Sequence, residues 1–389
     1  MKKTFILVIL FYCTLHFVLP YIGYKIWGYV NLYADIQGYA GMGINLISLL
    51  LLCWIINRKK VPQYENDRVY HVTILYFIVS LCISLIKFIS FGGYEGALSG
   101  QASGSLLSFI SMFFSVDKAF VFLICFNREL KRVGLMMLIY VLYFSLLGSR
   151  SAVIGLVFTF IYLSLFPTFR LLYSKLKRYL FIFCLISPFL FYIGTKQRGE
   201  VDTDLIGKVI LGRISFIGLS EVPMYSKSSG DTDQSLFQEK YGLSNQVKQS
   251  INSISPIDFF TYDIAPNQYY RQVFLGARDR SELDKYLSIN LTLPVYLSFL
   301  TNKYMGIVLT ILLLLLLFNF WVKHRNNQYI FFSILLSLYE ILYFFDLVMI
   351  TQNIFRTCLS LFMLNLFEKG YKIMRYNKLK CNRVSDEDK

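Results

Sequence analysis

The chain has 389 residues, 56% of them apolar and only 16% charged, with a formal net charge of +15. A typical soluble domain carries roughly 25% charged residues. Apolar stretches long enough to cross a hydrocarbon core recur along this chain, and residues 312–317 are all leucine. That combination excludes a soluble globular enzyme, a secreted disulfide scaffold and, despite the positive charge, an ordinary nucleic-acid binder.

Taken in chain order, the apolar segments predict ten spans, near 5–24, 37–56, 70–90, 105–126, 133–148, 150–166, 179–195, 300–320, 329–348 and 350–367. The nearly continuous pairs 133–166 and 329–367 read as tight helical hairpins. The first span lacks a small-residue cleavage site and reads as an uncleaved anchor. Alternate loops carry the basic clusters: Lys2-Lys3, Arg58-Lys59-Lys60, Arg128 with Lys131-Arg132, Lys175 with Lys177-Arg178, and Lys323-His324-Arg325. With Arg68, Arg170 and the tail after 367, these segments hold 22 basic and 7 acidic residues, which is the whole net charge. By the positive-inside rule this predicts both termini in the cytoplasm, and a basic run is then a topology signal. Six cysteines lie in spans and Cys381 in the tail. None lies in 196–299, so no disulfide framework is expected there.

The expected fold is an all-α integral membrane protein of about ten transmembrane helices with one large outer loop. Its parts are a seven-span bundle over 1–195, the outer and partly helical segment 196–299, spans over 300–367 and a basic cytoplasmic tail over 368–389. The outer segment is polar, with 11 basic and 12 acidic residues. About 100 residues is far more than a connector needs. Ile206, Ile210, Ile214 and Ile217 make one helical stripe, and Tyr269, Tyr270, Val273 and Phe274 a second aromatic patch. Residues 291–299 read as a piece turned back toward the bilayer, interrupted at Pro294. A channel lines its spans with polar groups, and a coupled transporter keeps ionisable or helix-breaking sites near the bilayer midplane. Polar chemistry gathered in one outer loop suits a substrate with a lipid tail and a polar head.

Arg150 is the sharpest single residue. It lies in Leu147-Gly148-Ser149-Arg150-Ser151 between two apolar segments at the predicted outer face. The small residues allow a tight turn that offers the guanidinium fork to a phosphate or carboxylate; the alternative is an arginine that snorkels or caps the turn. Arg198, Arg213, Arg271 and Arg278, with Arg280 weaker, could converge on a diphosphate leaving group. Ordinary solvated pairs such as Arg278 with Glu282 are the competing reading. Glu221, eight residues after Arg213, is a candidate base for an attacking sugar hydroxyl. Asp202-Thr203-Asp204 and Asp231-Thr232-Asp233 have a spacing able to hold a divalent metal, but three-residue matches are cheap, and no metal or cofactor is expected. Lys87, Asp117, Lys118, Glu340, Asp346 and Arg356 stand out inside spans, where a charge must be paired, neutral or facing a polar cavity. Arg356, beside Gln352 and Asn353 at the last outer turn, is a candidate wall of a diphosphate site. A structural ion pair is the alternative for all six. No histidine lies in 196–299, which disfavours histidine base chemistry there.

With its spans, the Leu147–Ser151 turn, one dominant late outer loop and the Tyr296…Phe299…Gly306 pattern, the whole chain resembles the bacterial O-antigen and capsule repeat-unit polymerases, the Wzy family. The resemblance implies an inner-membrane protein with its large loop in the periplasm and a GT-C-like glycosyltransferase architecture. It implies polymerisation of undecaprenyl-diphosphate-linked oligosaccharides at the periplasmic face, with release of undecaprenyl diphosphate. Arg150, Arg213, Glu221 and Arg271 would then be catalytic, and Arg198, Arg278 and Arg356 would bind the diphosphate. Membrane lipid, a flippase and a chain-length regulator are the expected partners. The related O-antigen ligases place a histidine in their large loop, which this chain lacks, and a flippase or exporter is the alternative from another class.

Overall fold

The computed structural model describes residues 10, 47, 50, 70–92, 106–126, 133–146, 242–255, 257, 259–260, 293–301, 303–324, 326–343 and 347–387. Every extended element among them is an α-helix: α1 (Tyr70–Ser90), α2 (Leu106–Phe113), α3 (Val116–Phe126), α4 (Val133–Leu146), α5 (Leu243–Ile254), α6 (Leu293–Leu300), α7 (Lys303–Lys323), α8 (Gln328–Tyr343) and α9 (Leu347–Glu387). The chain divides into two compact units. One holds Met1–Pro62, Ile154–Ser174 and Thr195–Gln352; the other holds Gln63–Val153, Lys175–Gly194 and Asn353–Lys389.

The all-α class is observed, but the expectation of about ten transmembrane helices in a GT-C-like arrangement is corrected. Among the described residues four helical stretches are long and apolar enough to cross a membrane: His71–Ser90, Leu106–Leu123, Tyr304–Lys323 and Leu347–Asn377. Over the spans expected at 133–148 and 329–348 the described helical residues are the 14 of α4 and the 16 of α8, about 21 and 24 Å. The spans expected at 5–24, 37–56, 150–166 and 179–195 lie outside the described residues except Leu10, Ile47 and Leu50, each helical. These long apolar helices are consistent with a multi-pass membrane protein.

The membrane character shows in what each helix turns outward. Along α1, Val72, Thr73, Tyr76, Phe77 and Ser80 are buried, while Leu75, Ile78, Leu85, Ile86 and Ile89 are exposed. A helix apolar on both faces, with its small and polar groups inside, is built for lipid, where packing rather than water exclusion holds helices together. On α7 the same division puts Gly306, Thr310, Leu314, Phe318 and Trp321 inside. Its outer face carries Leu312, Leu313, Leu315, Leu316 and Phe320. The Thr310 hydroxyl donates to the Gly306 carbonyl at 2.7 Å, so a buried polar atom costs nothing unsatisfied.

In the unit containing α1–α4, α1 packs on both α2 and α3, and α3 on α4. Aromatic rings fill these seams: Phe120 stacks on Tyr140 at 4.4 Å, and Tyr76 meets Phe367 of α9 edge-on at 5.8 Å. Gly92 closes α1 in the left-handed region at φ +75, its N–H donating to the Ile89 carbonyl, a conformation other L-residues adopt at a cost. In the other unit α6 packs on α7, and both meet α8. Pro294 does not interrupt its segment as expected. It lies within α6. Asn327 caps α8, its side-chain oxygen accepting from the Tyr329 N–H at 3.0 Å and the Ile330 N–H at 3.4 Å. The helix α9 continues without a break from its apolar part to Glu387, with Lys372 paired to Glu368 at 2.8 Å one turn back.

Candidate functional site

The stretch expected as one span at 105–126 is broken at its centre. Helix α2 ends at Phe113, Phe114 and Ser115 leave the helical path, and α3 starts at Val116, halfway along the apolar stretch Leu106–Leu123. A broken helix exposes carbonyls on one side and N–H groups on the other, which lipid cannot satisfy. Tyr76 of α1 answers the first need, donating its hydroxyl to the Phe113 carbonyl at 2.6 Å. Its own place is fixed by full burial and by rings from Phe114 and Phe367. On the other side, Asp117 sits in the first turn of α3, where the helix dipole favours a negative charge.

Charge gathers around this break. The Asp117 carboxylate accepts from the Ser115 hydroxyl and pairs with Lys118 at 3.1 Å. The Lys118 ammonium also donates to the Asn353 side-chain oxygen of α9 at 2.9 Å, a contact between residues 235 apart in sequence. Lys118 is buried with 5% of its side-chain surface exposed, whereas Asp117 keeps 42%. The lysine is therefore a locked structural partner, and the carboxylate has an open side.

Two further cations stand near. Lys87, in the last turn of α1, donates to the Ser111 hydroxyl of α2 at 3.2 Å, and Ser111 in turn donates to the Ser108 carbonyl at 2.7 Å. Arg356 lies on α9 one turn beyond Asn353. It is close enough to act through charge on both Asp117 and Lys87. Among the described residues its guanidinium enters no hydrogen bond or ion pair, and it is only half-buried. Behind it Asn353, Thr357 and Ser360 form a buried polar stripe, with the Thr357 hydroxyl donating to the Asn353 carbonyl at 2.6 Å.

The cluster thus holds three cations and one carboxylate on apolar helices. One cation is consumed internally by Asp117. Lys87 and Arg356 repel each other, and among the described residues they are left in excess of anions. A guanidinium in a membrane-spanning helix is costly unless it meets a partner, and its planar fork matches a phosphate or carboxylate.

Of the seven residues proposed from sequence as the site, the structure describes Arg356 alone. Arg150, Arg198, Arg213, Glu221, Arg271 and Arg278 lie outside the described residues, as do Arg280, Asp346 and the two Asp-Thr-Asp motifs. Sequence reasoning marked Lys87, Asp117, Lys118 and Arg356 singly as ionisable groups in apolar segments; the structure brings the four together. It missed the helix break, the polar partners Ser111 and Ser115, and the bond from Lys118 to Asn353, which it had named only as a neighbour of Arg356. The signal for the break was present as Ser115 two residues before Asp117, a helix-start pattern inside an apolar run. Among the described residues no group of three histidine, cysteine, aspartate or glutamate side chains could hold a metal ion.

Compared with known protein families, with curated proteins and with solved structures, the chain finds no match in any of the three.

Proposed function

We propose that this protein polymerises oligosaccharide repeat units carried on undecaprenyl diphosphate, into O-antigen or capsular polysaccharide, at the outer face of a bacterial inner membrane. The observation that carries the reading is the cationic excess at Lys87 and Arg356. A lipid-linked diphosphate brings negative charge on an apolar tail, so its anion can reach a site set among membrane-spanning helices without leaving the bilayer. Arg356 would hold the diphosphate and stabilise charge gathering on it as the sugar–phosphate bond breaks. The bilayer would hold both donor and acceptor tails and restrict the search between them. Arg150, Arg213, Glu221 and Arg271 remain the proposed catalytic groups, with Arg198 and Arg278 as further diphosphate contacts. Orientation with both termini in the cytoplasm and 196–299 in the periplasm belongs to the same proposal, as do a flippase and a chain-length regulator as partners.

A second reading rests on the break between α2 and α3. Discontinuous helices with ionisable residues at mid-span are where membrane transporters bind their substrates. A flippase for the same lipid-linked sugar would use the same cations. The full chain in proteoliposomes, given a defined undecaprenyl-diphosphate repeat unit, separates the two. A ladder of products differing by one repeat unit supports polymerisation, and Arg356→Ala and Arg150→Ala are each expected to reduce it by at least about tenfold. Transbilayer movement of the substrate with no ladder moves the assignment to the flippase, and transfer onto lipid A–core moves it to a ligase.

A further inference from the structure

Helix α5 is folded inside out for a protein surface in water. Its sequence, LSNQVKQSINSI, places Leu243, Val247, Ile251 and Ile254 on one stripe and the serine, asparagine and glutamine side chains mostly on the other. The polar half faces inward: Gln246, Ser250 and Asn252 are buried, at 1%, 5% and 6% exposure. The apolar stripe faces outward, with Leu243, Val247 and Ile251 exposed. The segment that follows adds Ile257, Phe259 and Phe260, also exposed, with Phe259 at 66%.

One side chain organises this segment. The Asn252 oxygen accepts from the backbone N–H of Phe259 at 3.0 Å and of Phe260 at 3.1 Å, and its amide donates to the Phe260 carbonyl at 2.6 Å. Three backbone polar groups beside two exposed phenylalanines are thereby satisfied from within. Water would satisfy them at no cost in an ordinary loop. Internal satisfaction is what entry into an apolar medium requires.

We infer that α5 and the segment after it rest on a lipid bilayer, with the Leu243–Val247–Ile251 stripe and the Phe259–Phe260 pair in the boundary between headgroups and acyl chains. Twelve residues give a helix of about 18 Å, too short to span a core of about 30 Å, so the helix lies in the membrane plane. The helix contains no acidic residue, and Lys248 flanks the apolar stripe, a pattern suited to an anionic headgroup. Helix α7 of the same unit already turns Leu312, Leu315 and Leu316 outward on a membrane-spanning helix, so lipid is the medium this unit meets. The inference does not depend on the reaction the protein performs.

The test uses the full chain in nanodiscs of phosphatidylethanolamine and phosphatidylglycerol. Benzoylphenylalanine replaces Val247, Phe259, Gln249 or Leu316 one at a time, and irradiation products are read by mass spectrometry. Leu316 is the lipid-facing reference, and Gln249 lies on the polar half of α5. Lipid adducts at 247 and 259 are expected within about threefold of those at 316 and about tenfold above those at 249. Lipid adducts at 316 with none at 247 and 259 would overturn the inference. So would adducts at 247 and 259 to a second copy of the chain or to another protein.

Discussion

At the scale of single residues, the pair Asp117–Lys118 and the lone Arg356 do different work, and substitutions separate them. Removing the carboxylate leaves Lys118 buried with only Asn353 for company; removing the lysine leaves an aspartate that is 42% exposed and still bonded to Ser115. Asp117→Asn is therefore expected to destabilise the protein by about 3 kcal/mol, and Lys118→Met by only about 1 kcal/mol because the carboxylate left behind keeps its Ser115 partner. The double substitution should recover most of the loss, since no charge is then stranded. Denaturant unfolding in detergent micelles measures all three; equal costs for the two single changes would remove the asymmetry on which this rests. Each ionisable residue was legible in the sequence because a charge in an apolar run is conspicuous. Its partner was not, because nothing in the chain links Lys118 to an asparagine 235 residues later.

At the scale of elements, local chemistry sets where helices stop and start. Asn327 satisfies two N–H groups at the start of α8, so Asn327→Ala should cost about 1 kcal/mol of stability and Asn327→Asp much less. Thermal unfolding followed by helical circular dichroism checks this, and substrate binding should be unchanged in both. Long apolar elements were the most legible feature: 70–90 and 300–320 correspond closely to α1 and α7. Interruptions were less so. Hydropathy averaged over 105–126 conceals the two residues that part α2 from α3, and Pro294 reads as a breaker although it lies within α6. Helix α5 was overlooked because its apolar stripe is short and its remaining positions polar, a composition that reads as a solvated loop until the structure shows which half is buried.

At the scale of the whole molecule, the long apolar helices are consistent with the multi-pass membrane protein read from the sequence, but the described helices do not give its ten spans. Counting apolar runs predicts ten spans; among the described residues four helical stretches have the length and hydropathy to cross. The functional account rests on less than the fold. Arg356 ties the sequence-proposed site to a described geometry, a cluster on α1, α3 and α9 within one unit in which cations outnumber anions among the described residues.

The measurement that tests this most directly is binding of undecaprenyl diphosphate to the purified full chain, by native mass spectrometry, for wild type, Arg356→Ala and Arg356→Lys. The account predicts specific binding by wild type. Loss of the guanidinium should weaken it by about 2 kcal/mol, roughly thirtyfold in Kd, and lysine should restore part because it keeps the charge but not the fork. Equal binding by wild type and Arg356→Ala, with both folded, would contradict it.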